Sequence, residues 1–474
     1  MSDMESRGIQ FEARPLVVPE TAHPFWTFAR VAGALGGGPS SPEPLAGIST
    51  DTRGIRRGDV FVALKGEHYD AHNFLAAARD AGAAALVVSD AMAAAGLALP
   101  TYVVPDTLVA LGKLASEWRS AWAGTVVAVA GSNGKTSTKE LLRAMLGRTF
   151  RVHATSGNEN NLVGVPLSLL AIPPSAELAV IELGTNAPGE IARLRAIARP
   201  DVAVLTSIGE EHLEGLGDMA GVLQEECEVF RGATLAVLPH VFTEALALAR
   251  ERSQAVISTG LDREAQYSPD EWGVDDRGHG WFIIDGERFS VPVAGGHQLA
   301  NAVLAAAVSR ACSVLPSAAA AGLADMVVPR MRGTVEAHGS ALVINDAYNA
   351  NPPSMRAALA LLDSMASGRQ KVAFLGTMRE LGAHSRSQHE LIAQAAMDSS
   401  ADLIVGVGEF AVAFQALFSS ALSGVKPRVV VAADPVEAWQ LASPRIDRNA
   451  VLLLKASRGV RMEQLLPRIS AWAD

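Results

Sequence analysis

Apolar residues in this chain fall into short unbroken runs, separated by stretches in which they recur every three or four positions. That is the alternation of buried parallel strands with helices. The run Val126-Val127-Ala128-Val129-Ala130 predicts a strand buried on both faces, and Thr136 to Phe150 predicts the helix after it, with Leu141, Leu142, Met145 and Leu146 on one face. Leu178 to Leu183 and Val202 to Ser207 predict two more strands, and Thr107 to Trp122 an amphipathic helix leading into the set. Upstream, Val60 to Leu64 and Ala84 to Val88 predict strands with a helix, Asn73 to Ala83, between them. From Asp262 to Pro292 the pattern changes to short β segments punctuated by glycine, and Gly295-Gly296-His297-Gln298 then opens a long Ala-rich helix. Beyond Pro329-Arg330-Met331-Arg332-Gly333 come five further strand runs: Ala341 to Ile344, Val372 to Leu375, Leu403 to Val405, Val429 to Val431 and Val451 to Leu454. Helical stretches separate them, which predicts a doubly wound sheet.

The turn between the first central strand and its helix carries the clearest chemistry. Gly131-Ser132-Asn133-Gly134-Lys135-Thr136-Ser137 would offer backbone N–H groups and a helix N-terminus to an anion. Lys135 would reach nucleotide phosphates, and the Thr136 hydroxyl would ligate Mg²⁺. The spacing departs from the strict phosphate-loop pattern, because Val129 stands five before Gly134 and the extra glycine falls at Gly131. Glu182 ends one neighbouring strand, and Glu210, Glu211 and His212 closely follow another. Ligands of a parallel sheet sit at the carboxyl ends of its strands, so Lys135, Glu182 and His212 converge on one rim and predict an Mg²⁺–ATP site.

Other polar clusters are open to two readings. Ser49-Thr50-Asp51-Thr52-Arg53, Lys65 to His72 and Asn158-Glu159-Asn160-Asn161 suit substrate contacts, yet turn chemistry alone explains their composition. His68 and His72 have metal-ligand spacing, but Gly66 and Asp70 beside them indicate a loop. The third unit has no GxGxxG after its first strand; Asn345-Asp346-Ala347-Tyr348-Asn349-Ala350-Asn351-Pro352-Pro353 stands there instead, which argues against a dinucleotide.

The expected fold class is therefore α/β in three domains: a small N-terminal α/β domain (1–104), a central phosphate-loop ATPase domain on a parallel sheet (105–330), and a C-terminal doubly wound, Rossmann-like domain (331–474). A net charge of −10 argues against a nucleic-acid partner held by its phosphates. Two distant cysteines, Cys227 and Cys312, suit a reducing compartment and exclude a Cys-based zinc site. Met1 to Arg14 has no apolar core and does not read as a signal peptide. The Ala-rich run from Ala302 to Val328 is broken by Arg310, Pro316 and Asp325, so no membrane insertion is expected and the chain reads as cytoplasmic.

Taken together, the motifs resemble the ATP-dependent Mur ligases of peptidoglycan synthesis, and within them the branch that adds D-alanyl-D-alanine. The resemblance runs nearly end to end. It rests on Gly131 to Thr136, on Glu182-Leu183-Gly184-Thr185-Asn186, on Gly296-His297 with Asn301, on Asn345 to Pro352, and on Lys455-Ala456-Ser457-Arg458 with Met462-Glu463. It implies catalytic roles for Lys135, Glu182, His212 and Arg332. It implies nucleotide contacts from the Gly131–Ser137 loop, Asn301, Arg332 and Asp346, and magnesium ligation by Thr136, Glu182 and His212. Ser49, Thr50 and Arg53 match the uridine-binding stretch, Asn160 and Asn161 the muramoyl-peptide loop, and Tyr348, Asn349, Lys455 and Arg458 fall in stretches implied to contact substrate. The substrates implied are UDP-N-acetylmuramoyl-tripeptide and D-alanyl-D-alanine, joined through an acyl phosphate formed from ATP, and a monomer is expected. One position departs from the family: on the helix that Met219 to Phe230 predicts, where its members carry a carbamoylated lysine four residues before Phe230, this chain has Glu226. Glu226 thus becomes a fourth candidate metal ligand. A folylpolyglutamate synthetase-like ligase is the competing enzyme, and a non-catalytic nucleotide-binding module the competing non-enzyme.

Overall fold

The computed structural model describes residues 24–66, 69–328, 331–420 and 428–473, so the Met1 to Arg14 stretch, His68 and Arg330 lie outside the described residues. Four sheets organise the described residues. The first is four-stranded and parallel, in the order β1 (Ile48–Ser49), β2 (Val60–Val62), β3 (Ala85–Val88), β4 (Thr101–Val103). The second is six-stranded and parallel, and uses β5 (Thr125–Ala130), β6 (Val152–Ala154), β7 (Leu178–Glu182), β8 (Val202–Leu205), β9 (Leu235–Pro239) and β10 (Ala255–Thr259) in the order β10-β9-β8-β5-β7-β6. Its central strand is the run that dominates the sequence.

That run is apolar throughout because both of its faces are covered. Val127 and Val129 point into one core with Leu141, Leu142, Met145 and Leu146 of the helix Lys135–Leu146 and with the Ala-rich helix Gly296–Ala311. Val126, Ala128 and Ala130 point into the opposite core with Ala115, Leu194 and Phe230. The period-2 alternation of the strand is thus hidden in composition but present in space. A three-stranded antiparallel sheet, β11 (Glu271–Val274), β12 (His279–Ile284) and β13 (Glu287–Ala294), adds Phe282, Ile284 and Phe289 to the first of these cores.

The helix Thr107–Ala121 joins two units: Leu111 and Leu114 belong to the core of the first sheet, and Ala115 to that of the second. Its Arg119 reaches the carboxyl end of the helix Glu190–Ala198, donating to the Ala198 and Arg199 carbonyls at 2.9 and 3.1 Å and pairing with Asp201 at 3.1 Å. Asp201 in turn accepts from the Val126 N–H at 2.9 Å, which fixes the start of the central strand.

The last sheet runs β14 (Thr334–His338), β15 (Ala341–Asp346), β19 (Val451–Lys455), β16 (Lys371–Gly376), β17 (Leu403–Val407), β18 (Val429–Ala432), all parallel except β14. The five expected strands are present. β14 is an addition, missed because Glu336 and His338 interrupt an exposed edge where packing does not demand an apolar run. Two helix expectations change at their ends. Asn73 to Ala83 instead begins as a 3₁₀ turn, Ala71–Phe74, capped by Asp70, before the helix Leu75–Asp80. Met219 to Phe230 is α-helical only over Met219–Glu226, then tightens to 3₁₀ over Cys227–Phe230. Among the described residues no helix is long and apolar enough to cross a membrane.

Arg119→Met removes a buried cation and leaves Asp201 and the Ala198, Trp122 and Arg199 carbonyls without it. The change should destabilise the protein by about 2–4 kcal/mol, read as a lower urea midpoint by tryptophan fluorescence. An unchanged midpoint would show that the clamp contributes nothing.

Candidate active site

The turn after β5 is held open by its own backbone. Gly131 (φ 120°) and Gly134 (φ 85°) occupy left-handed geometry. A Cβ at Gly131 would come within 2.9 Å of the Ser207 backbone, and one at Gly134 within 2.8 Å of Asn301 Nδ2, so only glycine fits either place. The loop after β8 supports the turn from beside it. Ser132 N–H donates to the Ser207 carbonyl at 2.9 Å, Asn133 N–H to Ser207 Oγ at 2.8 Å, and Gly209 N–H to Ser132 Oγ at 2.9 Å. Asn301 lies against Gly134 and donates to Gln298 Oε1 at 3.4 Å, while Gln298 donates to Ser137 Oγ at 3.2 Å.

Lys135 turns back over this loop. Its Nζ donates to the Gly131 carbonyl at 2.5 Å and to Glu211 Oε1 at 3.0 Å. Glu182, Glu211 and Glu226, only 1, 5 and 1 % exposed, gather around it. Burial alone would lower the lysine's pKa, but the fields of Glu211, Glu226 and Glu182 raise it, so the ammonium stays charged. Glu182 Oε1 accepts from Thr136 Oγ1 at 3.1 Å and from Asn160 Nδ2 at 2.8 Å; its other oxygen has no hydrogen-bond partner among the described residues. Lys139, one helical turn beyond Lys135 and fully buried, stands 3.9 Å from that oxygen and donates to the carbonyls of Thr155 and Gly157.

His212 sits on the far side of Glu211. Its Nε2 lies 3.2 Å from Glu211 Oε1 and its Nδ1 2.8 Å from Glu380 Oε2. Burial pulls its pKa down, but the two carboxylates outweigh burial and lift it to about 9, so both ring nitrogens donate. His212 (φ 51°) and Glu380 (φ 64°) both hold left-handed backbone, an uncommon strain for side chains of this kind. Glu211 also accepts from Asn351 Nδ2 at 3.3 Å, so one carboxylate touches the phosphate loop, the imidazole and the C-terminal unit. Asn351 is fixed by a capping box with Ser354 at the start of the helix Pro352–Ser364.

Glu226 is fully buried at the end of its helix, and its Oε2 accepts from the Gly131 N–H at 2.7 Å. It holds the phosphate loop from behind. The remaining predicted residues are placed as follows. Asn161 Oδ1 accepts from the Val163 and Gly164 N–H groups and so starts the helix Gly164–Leu170, leaving Asn160 to reach the cluster. Lys455 pairs with Asp346 at 2.7 Å and donates to the Asn349 carbonyl at 2.7 Å. The Arg332 guanidinium lies over the Tyr348 ring at 4.0 Å, with Arg458 5.6 Å from the same ring. Ser49 ends β1 of the first sheet and Thr50 and Arg53 follow it, with Arg53 paired to Asp51 at 2.6 Å; no contact joins them to the central cluster among the described residues. His72 is no free ligand: Nδ1 contacts Asp70 Oδ1 at 2.6 Å and Nε2 accepts from the Ser89 N–H at 3.0 Å.

Comparison with known proteins decides the lineage. The chain matches the Mur ligase family, catalytic domain, over residues 44–119, the Mur ligase middle domain over 129–309, and the Mur ligase, glutamate ligase domain over 330–458. It is 34% identical to the UDP-N-acetylmuramoyl-tripeptide–D-alanyl-D-alanine ligase of Bacillus subtilis (strain 168), over 92% of this chain and 95% of that protein. The chain belongs to the Mur ligase family. Its fold is that of MurF from Acinetobacter baumannii, with a TM-score of 0.86 and 31% identity over 94% of this chain and 99% of the other. MurF ligase from Thermotoga maritima in complex with ADP is also similar, with a TM-score of 0.78 and 28% identity over 90% of this chain and 97% of that one.

Within this Mur ligase, three participants escaped the candidate set. Glu211 was visible in sequence beside His212, but its position as the shared partner was not. Glu380 follows β16 on a different unit, and only the folded chain sets it against His212. Lys139 lies on the phosphate-loop helix, where its spacing from Lys135 could have flagged it.

Burial pushes the Glu226 carboxyl up to about 7, with Glu211 adding to the rise and Lys135 and the Gly131 N–H opposing it. Between its ordinary value near 4.5 and 7 the folded chain keeps a proton that the unfolded chain releases, so stability falls as pH rises through that window. In chelator, Glu226→Gln should be more stable than the parent at pH 8, by up to about 3 kcal/mol, and the gain should vanish near pH 4.5. An equal gap at both pH values in denaturant melts would refute the buried, ionised carboxylate.

Proposed function

We propose that this chain joins D-alanyl-D-alanine to UDP-N-acetylmuramoyl-tripeptide, using ATP to activate the peptide carboxylate as an acyl phosphate. The observation that carries the reading is the Glu211 junction, where the Lys135 loop meets Asn351 of the Asn345–Pro352 stretch. An activated carbonyl formed at the central sheet is then adjacent to the unit expected to bring the amine. The family names and ADP-bound relative support the substrates. The reading includes domain limits of 1–104, 105–330 and 331–474, and action as a cytoplasmic monomer.

Mg²⁺ fits the residues present: Glu182 offers a buried oxygen without a hydrogen-bond partner among the described residues, the Thr136 hydroxyl touches its other oxygen, and these two oxygen donors suit a hard cation. Thr136 and Glu182 would hold the ion, with His212 joining them only after release from Glu211 or Glu380. When bound, the ion would neutralise charge on the phosphates. Glu226 takes the place of the family's carbamoylated lysine with a carboxylate that needs no CO₂.

The chain's own groups account for the rest. Lys135 exchanges the Gly131 carbonyl and Glu211 for phosphate oxygens and stabilises the charge that develops on them. Backbone N–H groups of the Gly131–Ser137 loop orient the phosphates. Arg332, Asn301 and Asp346 contact the nucleotide, Asn160 and Asn161 the muramoyl peptide, and Ser49, Thr50 and Arg53 the uridine. Tyr348, Asn349, Lys455 and Arg458 line the amine side. Contact between the C-terminal unit and the central one excludes water from the acyl phosphate.

Phosphate release from ATP should require both the UDP-muramoyl tripeptide and D-alanyl-D-alanine; release with either alone would sink the reading. Lys135→Ala should lower kcat by about 10²–10³ without unfolding the protein. Activity should not respond to bicarbonate, whereas Glu226→Lys should be inactive in CO₂-free buffer and partly restored by bicarbonate. Bicarbonate dependence of the parent would refute the role given to Glu226.

A further inference from the structure

The helix after the phosphate loop, Lys135–Leu146, buries a second lysine that the proposed reaction leaves unused. Lys139 is 0 % exposed, and a buried ammonium is costly unless partners answer its three protons. Nζ donates to the Thr155 and Gly157 carbonyls at 2.7 and 2.8 Å, and Glu140 Oε1 lies 3.1 Å from it. Glu140 is itself held by Arg143 at 2.7 Å. Three oxygens thus stand closer to this ammonium than Glu182 Oε2, which lies 3.9 Å away and has no hydrogen-bond partner among the described residues. Glu182 receives the charge of Lys139 without giving up that oxygen.

The rest of Glu182 is committed. Its N–H donates to Thr155 Oγ1 at 3.0 Å, and its Oε1 accepts from Thr136 and Asn160. The neighbouring acids have partners of their own: Glu211 pairs with Lys135 at 3.0 Å, and Glu226 accepts from the Gly131 N–H at 2.7 Å. Among the described residues, Lys139 makes the one ion pair that Glu182 has. It is also fixed, because moving towards a phosphate would strand two carbonyls. A dication that approaches the free oxygen therefore meets a carboxylate whose charge is already balanced, with a buried and poorly screened ammonium beside it.

We propose that Lys139 is a positioning residue that keeps Glu182 from holding a divalent cation by itself, so that magnesium enters only with nucleotide. The phosphates bring the negative charge that the Glu182–Lys139 pair lacks. This rests on the magnesium placement proposed above. The competing role is a staple for the loop after β6, which requires hydrogen-bond donors at position 139 but not a charge.

The test uses Mn²⁺, a paramagnetic ion that also takes oxygen ligands, and reads protein-bound ion by electron paramagnetic resonance with and without ADP. All variants are compared after an unchanged thermal melt. The parent should hold Mn²⁺ weakly without ADP and tightly with it. Lys139→Gln keeps a donor but removes the charge, and should bind Mn²⁺ without ADP about 10–100-fold more tightly than the parent. Lys139→Arg should return to weak binding. Adding Glu182→Gln to Lys139→Gln should erase the gain, which assigns it to this oxygen rather than to the partly exposed His240, Asp262 and Glu264. Unchanged Mn²⁺ affinity in Lys139→Gln would reduce Lys139 to a staple and overturn the proposal. So would a parent whose Glu182-dependent Mn²⁺ binding is equal with and without ADP, a result that needs no variant at position 139. If Glu182→Gln alone leaves Mn²⁺ binding with ADP untouched, the magnesium placement itself fails, and this inference with it.

Discussion

A single ammonium among buried carboxylates sets the terms for the rest of the molecule. Glu182, Glu211 and Glu226 come from three different elements, and none would tolerate burial without cations, N–H donors or hydroxyls aimed at it. Lys135 supplies the central charge, Lys139 supports it from within the helix, and the Gly131 N–H satisfies Glu226 from the loop itself. The parallel sheet makes this possible. β5, β7 and β8 lie side by side and end on the same rim, so residues separated by dozens of positions meet within hydrogen-bond distance.

Lys139 extends the same logic to the neighbouring loop. Its ammonium is fully buried and grips the Thr155 and Gly157 carbonyls, just ahead of Asn158 to Asn161. Asn160 then closes the circuit on Glu182. The loop proposed for the acceptor peptide is therefore fastened to the phosphate-loop helix through Lys139 and to β7 through Glu182 rather than left as an independent flap.

Much of this architecture could be read in the chain because parallel strands buried on both faces must be apolar without interruption. Val126 to Ala130 and Val451 to Leu454 have no other sensible conformation. β14 escaped for the converse reason: an edge strand with Glu336 and His338 is under no such demand. The phosphate loop, Glu182 and His212 were legible from their positions beyond strand ends, and the family was legible from motifs distributed along the chain. What sequence could not convey was partnership. Nothing in Asn161 says that its side chain starts a helix while Asn160 next to it reaches Glu182. Glu226 could be read as a candidate metal ligand, but not as the buried acceptor of the Gly131 N–H that the fold makes it.

Glu211 has a thermodynamic consequence. Its carboxylate is shared by Lys135, His212 and Asn351, that is, by the nucleotide loop and the C-terminal unit at once. A phosphate that draws Lys135 away leaves Glu211 with a stronger claim on its remaining partners, including the one across the interface. Nucleotide affinity and interdomain contact are then two readings of one coupling free energy. Whatever the contact adds to the binding of nucleotide, nucleotide must return to the contact in equal measure. On the proposed function, occupancy of the phosphate loop and assembly of the reaction chamber rise and fall together, without a dedicated signalling element between them.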